Sequence, residues 1–288
     1  MPSLKAVRVR IASVKSTQKI TRAMKLVAAA KLRRAQDAIV AARPYADALA
    51  EAIAELAARA GDTAHPILEK RPPERIAAVL LTSDRGLCGG FNATVGRAAQ
   101  RFVGEKRAAG LEDIQLLVVG RKGREYTRRR RMNIGHEWAG VSGDTAAERA
   151  REVAHTVSDA FIEGKLDAVY LIYNEFKSAI SQKLLVAPLL PIVPAPLPEA
   201  DSTDFLYEPD KENLLSHLLP LYLESQIYRA FLESIASEFG ARMSSMESAT
   251  KAAGEMIERL TLQYNRVRQA SITKELMEIV GGAEALKG

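Results

Sequence analysis

The chain of 288 residues is 47% hydrophobic and 26% charged, with 18 Gly and 12 Pro, a composition that supports a buried core and excludes collagen-like and intrinsically disordered classes. Its single cysteine, Cys88, excludes an internal disulfide and a cysteine-based zinc cage, and suits a reducing compartment. The formal net charge is +6, and residues 1–36 hold ten Lys or Arg with no Asp or Glu, which points to an acidic partner: nucleic acid, anionic lipid and an acidic protein surface all qualify. No run approaches eighteen uncharged apolar residues, and "MPSLKAVRVRIASVK" alternates charged with apolar side chains. The expectation is a chain that neither spans a membrane nor is secreted, although a place beside a membrane within a complex stays open.

Residues 1–60 read as the first segment. Alternating steps of three and four from Leu4 through Val7, Ile11 and Val14 to Ile53 and Leu56 visit sixteen positions, thirteen of them apolar. That is a heptad seam long enough for a coiled coil. Pro44 lacks the N–H for a bond to residue 40 and predicts a kink there within one helix. The three polar positions, Gln18, Thr21 and Lys25, are consecutive. Such a break is expected to weaken pairing locally and to free those side chains for another partner.

Residues 75–195 differ in texture. "RIAAVLLTSD" (75–84), "IQLLVVG" (114–120) and "LDAVYLIYN" (166–174) read as strands, separated by helices at 93–109 and 146–163. Strands alternating with helices predict a Rossmann-like α/β domain with a mostly parallel sheet. In "KLLVAPLLPIVPAP" the prolines fit an edge strand followed by a linker.

Residues 210–288 repeat the seam, from Leu214 and Leu218 through Arg242, Met246, Ala249, Ala253, Met256, Leu260, Gln263 and Val267 to Met277, fifteen of nineteen positions apolar. Its middle, "SIASEFGARMSSMESATKAAG", is rich in Ser, Ala and Gly, which lets a partner approach closely; Gly281 and Gly282 read as a C-terminal stop. Neither long helix buries its seam alone. The fold class is therefore α/β, with a long antiparallel coiled coil of N- and C-terminal helices and an inserted Rossmann-like α/β domain.

Little in the chain points to catalysis. "SDRGLCGGFN" (83–92) follows a strand and opens a helix, yet Gly86, Gly89 and Gly90 match neither GxGxxG nor the P-loop. They read as turn geometry, with Asn92 as N-cap. Cys88 has no neighbouring His to activate it and reads as a small buried residue rather than a nucleophile. His65, His136, His155 and His217 are dispersed, without metal-ligand spacing. The basic stretch 120–133 lacks interleaved aromatics and reads as a solvated helix face. The segment 262–283 is the richest, mixing seam apolars with Arg266, Arg268, Gln269, Thr273, Lys274 and Glu275.

Four stretches, "IASVKSTQKITRAMKLVAAAKLRRAQ", "SDRGLCGGFN", "YEPDKENLL" and "YNRVRQASITKELMEIVGGA", stand in an order that resembles the gamma subunit of bacterial F-type ATP synthases. The resemblance implies a rotor shaft that couples proton-driven c-ring rotation to ATP synthesis and hydrolysis on beta subunits, with no active site or cofactor of its own. Implied partners are the alpha and beta subunits around the shaft, the epsilon subunit and the c-ring, with no nucleic acid and no direct membrane insertion. The implied location is the cytoplasmic face of the bacterial inner membrane, as a peripheral component. It also implies beta-subunit coupling contacts at Met24, Arg242, Arg268, Gln269, Thr273 and Glu275, and c-ring contacts at Tyr207 and Glu208. The cysteine-bearing insertion of the chloroplast form is absent. The rival readings from the residues alone are a basic coiled-coil protein that binds nucleic acid, and an α/β enzyme using Cys88.

Overall fold

The computed structural model describes residues 3–60, 65–193 and 210–285. Tyr207 and Glu208 lie outside the described residues. In chain order the elements are α1 (Leu4–Ala60), a 3-10 turn (Pro66–Leu68), β1 (Arg75–Leu81), α2 (Phe91–Ala108), β2 (Asp113–Val119), α3 (Arg121–Arg129), β3 (Ile134–Trp138), α4 (Ala146–Ile162), β4 (Ala168–Phe176), β5 (Gln182–Leu190) and α5 (Lys211–Ala285). The chain divides into two compact units, Met1–Val27 with Met243–Gly288, and Ala28–Arg242.

In the larger unit, the strand order is β3-β2-β1-β4-β5. β1 pairs in parallel with β2 and β4, β2 in parallel with β3, and β5 closes the edge antiparallel to β4. Six consecutive residues of β1, Ile76 to Leu81, are buried, as expected where helices cover both faces of a parallel sheet. On one face Ile76, Ala78 and Leu80 pack with Val95, Ala99 and Phe102 of α2 and with Ile114, Leu116 and Val118 of β2. Gly120, with φ 98°, turns β2 into α3. A Cβ there would stand 2.2 Å from the Thr82 carbonyl oxygen, so only glycine fits. β5 takes the edge position that suits Pro188 within it. β3 was not legible in the sequence because five residues with His136 and Glu137 carry no apolar alternation.

The two long helices behave differently from one another. All sixteen seam positions of α1 are buried or half-buried, and the helix runs unbroken through Pro44. α5 likewise runs through Gly281 and Gly282 to Ala285, so the glycine pair does not stop it. Ala230 to Ser237 are buried all the way round, the state of a helix enclosed on every side. In the smaller unit the α5 seam departs from the expected phase. Ala253 is followed by half-buried Ile257, Leu260, Tyr264, Val267 and Ser271, whereas Met256, Gln263 and Ala270 are exposed. Steps of four then three replace three then four, because apolar residues stand at both 256 and 257 and only the facing helix chooses between them.

Candidate functional site

Three places carry the residues singled out in the sequence. The first is the end of α5. Arg268, Gln269, Thr273 and Glu275 are all exposed, within about two turns of one helix. Every residue from Ile272 to Ala283 is exposed, including Ile272, Leu276, Met277, Ile279 and Val280. Apolar side chains at this density, interleaved with Lys274, Glu275 and Glu278, form a surface made to be covered. Glu275 Oε1 accepts from Ser271 Oγ at 3.2 Å, and Lys274 pairs with Glu278 at 3.5 Å; exposed pairs of this kind contribute little.

The second place is the polar interval in the α1 seam. Gln18 Nε2 donates to the Thr250 carbonyl at 3.5 Å, Thr250 Oγ1 lies 2.8 Å from Thr21 Oγ1, and Lys25 Nζ meets Glu247 Oε1 at 2.6 Å. As the α1 number rises the α5 number falls, so the helices run antiparallel. Gly254 makes room for Gln18, whose Nε2 would stand 3.2 Å from a Cβ at 254. The expectation that these side chains are free for another partner is therefore corrected. Each is engaged by α5, and the interval is a paired polar layer of the kind that fixes helix register. Met24, next to it, is half-buried.

The third place is the turn 83–92 in the larger unit. Leu87 (φ 64°) and Gly89 (φ 56°) adopt the left-handed region, and side chains hold the turn. Asn92 Oδ1 accepts from the Ser83 amide at 2.9 Å, and Asn92 Nδ2 reaches Ser83 Oγ at 2.8 Å and Cys88 Sγ at 3.2 Å. Asn92 is thus not the N-cap of α2. That position is Gly90, without a side-chain cap bond, and Asn92 ties the helix start back to the end of β1. Asp84 accepts from the Arg121 and Gly140 amides, each at 2.9 Å.

Arg242 belongs to this same place. It is buried on α5, ion-pairs with Glu238 at 2.6 Å, and donates through Nη2 to the Arg85 and Gly86 carbonyls at 3.4 and 3.3 Å. Burial pushes the Glu238 carboxyl up, and Arg242 opposes that shift. Burial also pushes the Cys88 thiol up, with the Ser83 hydrogen bond and the Arg242 charge pulling the other way. A thiol held above its ordinary value is a poor nucleophile.

β1 and β4 flank the point where strand order reverses, the crevice in which open α/β sheets bind ligands. Here the chain's own residues pack beside it. Asn174 of β4 donates to the Phe91 carbonyl at 3.4 Å and accepts through its carbonyl from Ser237 Oγ of α5 at 2.9 Å. On the other side of the turn, Gly240 approaches Ala179 so closely that a Cβ would lie 3.1 Å from its carbonyl oxygen. Neither Glu238 nor Asn92 was recognised from sequence as a partner in the turn. The one sequence signal was an unexplained, glycine-rich "SDRGLCGGFN".

A family model described as ATP synthase matches residues 3–286. The chain is 56% identical to the ATP synthase gamma chain of Anaeromyxobacter sp. strain Fw109-5, over the full length of both. It is 50% identical to that of Geobacter metallireducens, again over both full lengths. The chain belongs to the ATP synthase gamma chain family. Among solved structures, a chain of the Tetrahymena thermophila mitochondrial ATP synthase central stalk and c-ring is similar at TM-score 0.62 and 28% identity, covering 80% of this chain and 99% of that one. A Euglena gracilis mitochondrial ATP synthase chain shares the fold at TM-score 0.68 and 21% identity, covering 98% and 94%. Among the described residues no helix is long and apolar enough to cross a membrane.

Proposed function

We propose that this chain is the central rotor stalk subunit of an F-type ATP synthase, coupling proton-driven rotation of a c-ring to ATP synthesis and hydrolysis at catalytic sites on beta subunits. The observation that carries this reading beyond kinship is the end of α5, where Ile272 to Ala283 are exposed in a helix studded with large apolar and charged side chains. Such a surface needs a surrounding partner, and a ring of alpha and beta subunits provides one. Arg268, Gln269, Thr273 and Glu275 would then meet a polar beta-subunit loop, and Met24 the acidic beta lever. Arg242 acts on the same coupling through the turn 83–92, which it holds. Tyr207 and Glu208 would meet the c-ring loops, and the epsilon subunit would stand beside the α/β domain.

In this assignment residues 1–60 and 210–288 serve as the shaft and 75–195 as the foot, at the cytoplasmic face of the bacterial inner membrane. The chain transmits torque and carries no active site. The test is purification of the native complex from membranes through a tag on this chain. Alpha, beta, epsilon and c subunits are expected in the eluate, and membranes lacking the chain are expected to make no ATP under a proton gradient. Wild-type synthesis without the chain would overturn the assignment.

A further inference from the structure

The hairpin between β4 and β5 carries an isoleucine at its tip. Ile180 is 87% exposed, more than any other large apolar side chain among the described residues. A lone exposed apolar residue is ordinary on a protein surface. What sets Ile180 apart is where it stands and what holds it there. Ser178 and Ser181 exchange backbone hydrogen bonds at 2.9 and 3.2 Å, which leaves Ala179 and Ile180 as the two loop residues. The favoured turns for such a loop need a positive φ and take Gly, Asn or Asp. Neither Ala179 nor Ile180 has a positive φ, so the loop forgoes the favoured geometry and carries a β-branched apolar residue at its corner.

The tip is nonetheless fixed. Ser178 Oγ accepts from the Ser181 amide at 3.0 Å, and Gln182 Nε2 donates to the Ser178 and Ala179 carbonyls at 3.3 and 3.2 Å. Against α5 the loop is seated on Gly240, where a Cβ would stand 3.1 Å from the Ala179 carbonyl oxygen and 3.2 Å from its Cα. Glycine inside a helix is destabilising relative to alanine, and here the hairpin fills the room it leaves. A side chain presented by backbone this constrained gives up little freedom when a partner covers it.

α5 passes Ser237, whose Oγ donates to the Asn174 carbonyl at 2.9 Å, before it reaches Gly240 beside Ala179. Helix and strand therefore advance in the same direction, and the tip lies at the end of the larger unit where α5 leaves it, at Arg242. We propose that Ile180 is a docking anchor that enters an apolar pocket on the ring of alpha and beta subunits. The inference rests on the rotor reading above, which gives α5 beyond this unit to that ring. Ser178, Ser181 and Lys183 are exposed around the isoleucine, a polar rim about one apolar side chain. Lys177 beside it is already paired with Glu175 at 2.8 Å, so apolar contact, more than charge, is what the tip offers.

The test places p-benzoylphenylalanine at position 180, purifies the native complex from membranes through a tag on this chain, and irradiates it. A cross-link to alpha or beta is expected. If both are in the eluate, no cross-link, or cross-links to epsilon or c subunits alone, would overturn the anchor. An eluate without alpha and beta would overturn the rotor reading and the anchor with it. Ile180→Ser is expected to melt like wild type as the full-length chain and to assemble, yet to lower ATP synthesis in energised membranes by about threefold or more, with Ile180→Leu retaining it. Unchanged synthesis in assembled Ile180→Ser would also overturn the anchor.

Discussion

Thr21 of α1 and Thr250 of α5 place their hydroxyl oxygens 2.8 Å apart across the helix pair, with the Gln18 carbonyl 3.0 Å from Thr21 Oγ1 and the Met246 carbonyl 2.7 Å from Thr250 Oγ1. The hydroxyls therefore have acceptors within their own helices as well as each other. Thr21 is buried, so truncating one partner leaves the other hydroxyl bonded only within its own helix and its lone pairs facing an apolar side chain. Replacing both with an isostere removes the demand altogether.

Thr21→Val and Thr250→Val, singly, are expected to destabilise the full-length chain by about 1 kcal/mol each, and the double variant by less than their sum. Urea unfolding of the four proteins in a double-mutant cycle measures this. Strict additivity would show that the 2.8 Å contact contributes nothing.

Arg242 and Glu238 make a different kind of pair, nearly buried and within one helix turn, with side chains 10% and 15% exposed. Arg242→Ala leaves the Glu238 carboxyl without its cation and frees the Arg85 and Gly86 carbonyls, for an expected loss of about 2–4 kcal/mol. The pH dependence has a definite sign. Glu238 already sits above its ordinary value of 4.5, and losing Arg242 raises it further. A raised carboxyl favours the folded state below its unfolded pKa, and that contribution is lost as pH rises through the folded one. The deficit of Arg242→Ala is therefore expected to widen from about pH 4.5 toward neutrality, and Glu238→Gln in the same background to flatten it, as read from melting curves across that range.

Gly120 and Gly110 both have positive φ, 98° and 88°, but only Gly120 is crowded. An added Cβ would press on Thr82 at position 120 and meets nothing within 4 Å at position 110. Gly110→Ala is expected to cost about 1–2 kcal/mol from backbone conformation alone. Gly120→Ala adds a clash with main chain that cannot rotate away, for about 3 kcal/mol or more. Chemical denaturation separates the two, and equal losses would show that the junction from β2 to α3 relaxes.

Asp167 is buried after α4 and receives Arg75 in a bidentate pair at 3.1 and 2.8 Å, along with the Arg75 and Glu74 amides at 2.8 and 3.2 Å. The Arg75 hydrogen bond holds its carboxyl below the usual 3.8, against the opposing effect of burial. A depressed carboxyl stabilises the fold above its unfolded pKa and loses that contribution as pH falls through the folded one. Asp167→Asn is expected to cost about 1–3 kcal/mol at neutral pH and to show a shrinking disadvantage as pH falls below about 3.8 toward the depressed folded-state value, where wild type surrenders the same interaction. Urea midpoints at pH 7 and pH 3 measure the difference.

How much of this was legible in the chain depended on the range of the interaction. The α1 seam was readable because its period is local, and every position from Leu4 to Leu56 falls where the spacing puts it. The α5 seam failed after Ala253 because Met256 and Ile257 are both apolar, and the choice belongs to a helix more than two hundred residues away. The polar layer was visible as an oddity, but its partners Glu247 and Thr250 were not. Nothing in "STQKITRAMK" names them. Arg242 was singled out by resemblance, while its partners Glu238, Arg85 and Gly86 emerge only once α5 lies against the turn after β1.

Arg268 and Gln269 contrast with Arg242 in a way that separates coupling from folding. Both are exposed on α5, and neither has a hydrogen bond or ion pair among those resolved for the described residues. Surface changes of this kind usually move stability by no more than about 0.5 kcal/mol. The double variant Arg268→Ala, Gln269→Ala is therefore expected to melt like wild type as an isolated chain and to assemble, yet to lower ATP synthesis severalfold in membranes energised to the same proton gradient. Arg242→Ala is expected to lower both stability and synthesis, with much of the loss in synthesis recovered when Glu238→Gln relieves the buried charge. If the exposed pair can be removed with synthesis unchanged, the coupling contact lies elsewhere on α5, and the apolar residues from Ile272 to Val280 become the next surface to truncate.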